Sequence, residues 1–392
     1  MTTYHDLPQP SADFLARSNA LTQIIQQQIE RQSGNISFAD FMDTTLYHFE
    51  YGYYQRPDFA LGQTGDFTTA PEISPLFARC FARQCQQIFT QRVDHNILEL
   101  GAGSGRFALD FLTEMDAQQS LPQRYFIYEI STALRQKQQQ LFKNERPDLY
   151  PRMEWLAALP ASFSGIVIAN EVLDAIPFHC FQIENQRVHA RLVTMHKQQF
   201  DWQINTALPA EMQQEIETLM HEYALVDGYQ SEIHPAATAL VKQLSELLTS
   251  GVMLLADYGY GQREYYHPQR SQGTLTCFYQ HRRHNNPFLY PGLQDITTHV
   301  DFTRVIETAA ASGAGLGGFT TQSAFLLANG LLDMAQDLER TLPETESFRL
   351  HQAIKILTMP MEMGDRIKVM AITKNIDLPL TGFTTLDRRR DL

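Results

Sequence analysis

The passage Asn96-Ile97-Leu98-Glu99-Leu100-Gly101-Ala102-Gly103-Ser104-Gly105 constrains this chain more than any other stretch of it. An apolar run of strand length meets three glycines at alternate positions, and an amphipathic stretch, Arg106 to Met115, follows at once. A turn free of Cβ atoms lets backbone approach a ligand, and the N-terminus of a helix behind it favours negative charge. From there apolar runs alternate with amphipathic ones: Ile97 to Leu100, Arg106 to Met115, Tyr125 to Glu129, Ala133 to Phe142, Gly165 to Leu173. Strand, helix, strand, helix, strand predicts an α/β fold built on a parallel sheet. Val252 to Tyr258 adds a buried strand, and Arg366 to Thr373 a late edge or antiparallel one.

The flanking regions read differently. Leu21, Ile24, Ile25 and Ile29 recur at helical spacing, and Ser37-Phe38-Ala39-Asp40 is a capped helix start, so the first 95 residues are expected to be largely helical. Tyr51 to Pro75 is aromatic and glycine-bearing without either period, which predicts an ordered loop. Arg187 to Met195 reads as an excursion strand, and Ala210 to Tyr223 and Ala236 to Leu248 read as helices. The expected division is an N-terminal region 1–95, a core 96–375 with insertions at about 187–250 and 261–330, and a tail 376–392. The stretch Asp387-Arg388-Arg389-Arg390-Asp391 within that tail is expected to fray in solvent.

Composition removes several function classes. A formal charge of −13, from 44 acidic and 31 basic residues, disfavours nucleic acid and anionic membrane surfaces as partners. Apolar runs fall far short of the roughly 20 residues that cross a bilayer, so no membrane insertion is expected. Cys80, Cys85, Cys180 and Cys277 form no C-x-x-C pair, which suggests neither a zinc ribbon nor a disulfide framework. His281 and His284 have no carboxylate at ligand spacing, so no metal site is expected, and no serine lies in G-x-S-x-G. Met1 to Ala20 lacks the apolar core of a signal peptide and the arginines of a transit peptide, which predicts a cytoplasmic protein. With 24 phenylalanines and 16 tyrosines there is room for an apolar interface, so a homodimer stays open.

Glu129 closes the strand after the glycine turn, 24 positions beyond Gly105, where an α/β nucleotide fold grips ribose hydroxyls. The glycines run G-x-G-x-G and Arg106 stands where the NAD fingerprint needs its third glycine. Glu99, two residues before the first glycine, is typical of turns that bind S-adenosylmethionine (SAM). A bare βα turn that binds nothing, and an NAD-dependent oxidoreductase, are the rival readings. The third strand delivers Asn170-Glu171-Val172-Leu173-Asp174 at its carboxyl end, the edge where open α/β sheets bind ligands. Facing a cleft, Glu171 and Asp174 can hold or deprotonate a cationic nitrogen nucleophile. The alternative has Asn170 capping a helix with Asp174 in its first turn.

Taken in order, GYY (52–54), GDFTTAPEIS (65–74), ILELGAGSGRF (97–107), YEIS (128–131), ANEVLDAIP (169–177), DYGY (257–260) and PGLQDITTHVDF (291–302) resemble the MidA family. Those are SAM-dependent methyltransferases whose mitochondrial members assist respiratory complex I assembly by methylating an arginine. The resemblance runs from about Ser37 to Thr373. It implies a class I methyltransferase with a Rossmann-like sheet, a helical N-terminal region and inserted segments, SAM as cofactor, and a protein substrate. By the same resemblance Gly101 and Gly103 lie against the cofactor, with Glu99 and Gly105 in the same turn, Glu129 against its ribose, and Asn170 and Glu171 near the adenosine or the reacting centre. Phe67 and Thr68, in the GDFTTAPE loop, line the same pocket. One departure is Ala70, where the family pattern T-S-P-E has serine, so no hydroxyl acts there. A non-catalytic assembly factor that keeps the SAM fold is a further rival.

Overall fold

The computed structural model describes residues 7–56, 62, 65–66, 68–91, 94–206 and 208–392. The glycine turn sits at the middle of an eight-stranded sheet: β1 (Asn96–Leu100), β2 (Arg124–Tyr128), β3 (Met153–Leu156), β4 (Phe163–Asn170), β5 (Leu248–Tyr260), β6 (Val300–Asp301), β7 (Gly315–Thr321) and β8 (Ile367–Lys374). Their order is β7-β8-β5-β4-β1-β2-β3, with the short β6 beside the end of β5. Pairing is parallel from β3 through β5, while β8 runs antiparallel to both β5 and β7. The chain builds outward from β1 to β3 and returns on the other side of β1 with β4. A crevice therefore opens over the carboxyl ends of β1 and β4, where the strand order reverses.

The strands are near-continuous apolar runs because helices cover both faces. Ile97, Ile166 and Ile168 meet Phe77, Phe81, Phe107 and Phe111 of the helices Pro75–Ile88 and Arg106–Ala117. The alternate residues Leu98, Val167 and Met253 point to the other face and pack on Val241 and Leu244 of the helix Pro235–Leu247 and on Phe302 and Val305 of the helix Phe302–Ala311. Period two in the strand thus divides two cores.

Two expectations need correction and a third an addition. First, β8 is antiparallel but not an edge, because β7 covers its outer side. Residues Ile367 to Ile372 are all buried, and β7 was hidden by a sequence, Gly315-Leu316-Gly317-Gly318, of low strand propensity. Two of those glycines are forced by packing: a Cβ on Gly317 would stand 2.6 Å from Cγ2 of Thr373, and one on Gly318 2.3 Å from Cγ of Phe383. Second, the tail does not fray. Arg388 donates its amide to the carbonyl of Phe319 at 2.8 Å, and the Asp391 carbonyl presses so closely on Gly261 that a Cβ there would lie 1.8 Å away. Third, the N-terminal region is helical over Ala12–Arg31, Phe38–Tyr47 and Pro75–Ile88, but Asn35–Ser37 is a strand. It pairs with Arg187–His196, which lies inside a five-stranded antiparallel sheet with His179–Glu184, Gln199–Asn205 and Gln230–Ile233. A third sheet, Thr276–Tyr279, Arg282–His284 and Asp295–Thr297, is built from the motifs that sequence left without a role.

Candidate active site

Beyond Leu100 the backbone turns through Gly101, Gly103 and Gly105 with φ of +59°, +53° and +85°. That region costs other L-residues about 1–2 kcal/mol each, which is why glycine recurs. Space adds a second constraint at Gly101, where a Cβ would stand 3.0 Å from Cγ2 of Val172 across the crevice. The Gly101 amide donates to the Tyr128 carbonyl at 3.0 Å and ties the turn to β2. Gly105 starts the helix Arg106–Ala117, and a Cβ on it would press on Gln138 at 3.2 Å.

A cavity of about 380 Å³ lies over this turn, and Glu99, Gly101, Gly103, Glu129, Asn170 and Glu171 all line it. Gly105 is outside the lining, Thr68 lines a neighbouring cavity, and Phe67 lies outside the described residues. Burial pushes the pKa of Glu99 up to about 8, although its Oε2 accepts the Tyr125 hydroxyl at 2.9 Å. Glu129 accepts the Ser131 amide at 2.9 Å and Nε2 of Gln138 at 3.3 Å. Its pKa is raised by burial, against those bonds. Gln138 also donates to the Gly103 carbonyl at 2.8 Å, and Nε1 of Trp155 donates to its Oε1 at 2.9 Å. One glutamine therefore holds both the acid that ends β2 and the turn that ends β1. From the N-terminal region Glu72 reaches the same rim and accepts the Ser104 hydroxyl.

These residues fit an adenosyl cofactor on a specific ground. Oδ1 of Asn170 is buried and unpartnered, an arrangement that costs about 1–3 kcal/mol unless a bound group donates to it. The turn beside it leaves the space a ligand needs, and Glu129 lines the same cavity just past the end of β2, where α/β nucleotide folds carry an acid for ribose hydroxyls.

A second cavity, of about 520 Å³, adjoins the first, and Tyr54, Glu171 and Ala175 line both. Glu171, at the end of β4, has φ +50°. Its Oε1 accepts the Ala70 amide and Nδ2 of Asn170, each at 3.3 Å, while burial and then the Asp257 charge push its pKa up to about 8. Asp174 lines the second cavity, its pKa raised by burial and by Asp257, Glu171 and Asp295. Asp295 accepts the Tyr54 hydroxyl at 2.9 Å, and burial lifts its pKa to about 7. Burial of acids crowded together favours their neutral forms, and a cation placed among them favours the ionised ones. No helix begins at Asn170, so the capping alternative for Asp174 falls; the next element is the strand His179–Glu184.

The sequence thus brought Glu171 and Asp174 to one place but missed Asp257, Asp295, Tyr54 and Glu72. All four lie in or beside the DYGY, PGLQDITTHVDF, GYY and GDFTTAPEIS motifs, so the signal was present without a role attached.

The chain matches the S-adenosyl-L-methionine-dependent methyltransferase family over residues 76–320. A crystal structure from Burkholderia thailandensis with S-adenosylhomocysteine (SAH) bound is 35% identical, with a TM-score of 0.92 over 99% of this chain and 100% of its own. The mitochondrial protein arginine methyltransferase NDUFAF7 of Bos taurus is 26% identical across 91% of this chain and 85% of its length. The Drosophila melanogaster homologue is also 26% identical, across 96% and 92%. The NDUFAF7 relatives are mitochondrial, which overturns the cytoplasmic expectation drawn from Met1 to Ala20. A short N-terminal stretch without a leader-like pattern carries too little chemistry to set a compartment. Among the described residues no helix is long and apolar enough to cross a membrane.

Proposed function

Because the chain belongs to the MidA family of SAM-dependent methyltransferases, we propose that it methylates a guanidinium nitrogen of an arginine in a protein acceptor. The observation that carries this reading is the wall between the two cavities: Tyr54 and Glu171 line both, one side opens on the glycine turn, and the other on Asp174 and Asp295. Relatives named protein arginine methyltransferases support it.

Bound SAM supplies an electrophilic methyl group. Gly101 and Gly103 leave it room, Glu129 takes its ribose hydroxyls, and Oδ1 of Asn170 accepts a hydrogen bond. The acceptor side chain enters through the second cavity. Its positive charge draws Glu171 and Asp174 into their ionised forms, and the carboxylates hold the guanidinium by charge-assisted hydrogen bonds. Glu171 would then receive the proton that the nitrogen sheds as its bond to the methyl carbon forms and the sulfonium S–C bond breaks, the bond pair staying on sulfur to leave SAH. Tyr54, fixed by Asp295, closes the junction beside it. Holding the nitrogen in one orientation supplies most of the acceleration.

The test is incubation of the purified chain with methyl-tritiated SAM and a protein extract from cells that lack it, followed by acid hydrolysis. Label is expected in methylarginine and is expected to vanish with Glu171→Gln. Label in lysine or histidine would overturn the arginine assignment.

A further inference from the structure

The second cavity has two electrical poles. At its inner end stand Glu171, Asp174 and Asp295. Its outer wall carries Arg270, Arg283 and Arg366, which come from three separate segments of a chain with a net charge of −13. Arg283 and Arg366 are exposed and Arg270 half-buried. Among the described residues none of the three lies within ion-pair distance of a carboxylate. Arg270 donates Nε to the Glu264 carbonyl at 3.2 Å and lies 4.2 Å over the Tyr260 ring; Arg283 donates to the Thr276 hydroxyl at 3.3 Å.

His299 lines the same cavity. Its ring stacks on Tyr258 at 6.4 Å and meets Tyr260 edge-on at 5.1 Å, and its buried Nδ1 is unpartnered. Burial, together with Arg270, Arg283, Lys368 and Arg366, holds its pKa down to about 3, so it stays neutral and leaves the outer wall's charge to the arginines. A lone guanidinium would find this entrance repulsive. A carboxylate beside it would meet three guanidinium groups that, among the described residues, no carboxylate already holds, and guanidinium groups pair carboxylates through two parallel hydrogen bonds.

We infer that the outer wall, with Arg270, Arg283 and Arg366, binds a carboxylate side chain of the acceptor close in sequence to the methylated residue, and so selects acidic over basic flanks. This rests on the arginine reading above. Like charges brought together at the entrance reject basic neighbours, which makes the wall a device for specificity as much as for affinity.

The test uses the full chain saturated with SAH and fluorescein-labelled heptapeptides with a central arginine flanked by glutamate, glutamine or lysine, titrated by anisotropy. The glutamate peptide is expected to bind about ten-fold more tightly than the lysine peptide, the factor that one charged hydrogen bond supplies. The order is expected to reverse in an Arg283→Glu/Arg366→Glu double variant, with SAH affinity as the check on folding. Equal affinities, or a glutamate preference that survives the double variant, would overturn the inference. A matched series with alanine in place of the central arginine separates the two claims. A glutamate preference that persists there, with no gain from arginine, keeps the anionic site and removes the arginine reading. No binding by any peptide, with SAH bound normally, overturns both.

Discussion

Oδ2 of Asp257 accepts the backbone amide of Leu173 at 2.9 Å. The same oxygen takes the amides of Val172 and Asp174 at 3.2 and 3.3 Å, so the last part of β5 clamps the segment that leaves β4. That segment begins at Glu171, whose φ of +50° would relax without an outside hold. Asp257 lines neither cavity, and its hold is on the backbone of the segment that carries Glu171 and Asp174.

Asp257→Ala should therefore lose about 1–3 kcal/mol of stability through the orphaned amides, read by urea denaturation. Its kcat should fall with little change in SAH affinity, since Gly101 and Glu129 are untouched. A merely structural role would lower the folded fraction and leave kcat per folded molecule intact.

Gly101→Val should abolish SAH binding in calorimetry. The new side chain starts 3.0 Å from Val172 and must adopt φ +59°, a conformation costly for a β-branched residue. Gly105→Ala lies outside the cavity lining and should cost stability through Gln138 while SAH binding persists in the folded protein. Equal loss of binding in the two variants would remove the distinction between the site and its scaffold.

Glu171→Gln keeps shape and removes charge. Methyl transfer should fall about 10²- to 10⁴-fold, the usual contribution of a positioned base. SAH affinity should hold, and a parallel collapse of SAH affinity would show that Glu171 serves the cofactor instead.

The acids also set opposite pH trends for stability and for use of the acceptor. Glu99 and Glu171 have pKa values of about 8 and Asp295 of about 7, all raised by burial from ordinary values of 4.5 and 3.8. The folded state then holds protons that the unfolded state has released. Stability is full below the unfolded values and is lost as pH rises to the folded ones, so Tm of the ligand-free protein should fall between about pH 5 and 8. At saturating SAM, kcat/KM for the acceptor should rise through about pH 7 to 8, because the free site gives up these protons when it takes a guanidinium. A Tm that climbs over this range would mean the acids are ionised in the empty site. Glu171→Gln should flatten part of the Tm slope.

What could be read from the sequence was local. Three glycines at alternate positions after Ile97 to Leu100 imply a turn free of Cβ atoms before a helix, and alternating apolar runs imply the parallel sheet; both properties are set within a few residues. Glu171 and Asp174 were legible for the same reason, as neighbours at one strand end. The tertiary structure alone decided the rest. Asp257 reaches Glu171's segment because β5 pairs with β4, and Asp295 and Tyr54 meet it from a separate sheet and from the N-terminal region. The docking of the tail on Gly261 and the strand hidden in Gly315 to Gly318 have the same origin, contacts between segments far apart in the chain. Even the charge state of the acids belongs to the fold: a carboxyl group has an ordinary pKa in the sequence, and only its burial among other carboxyls raises it.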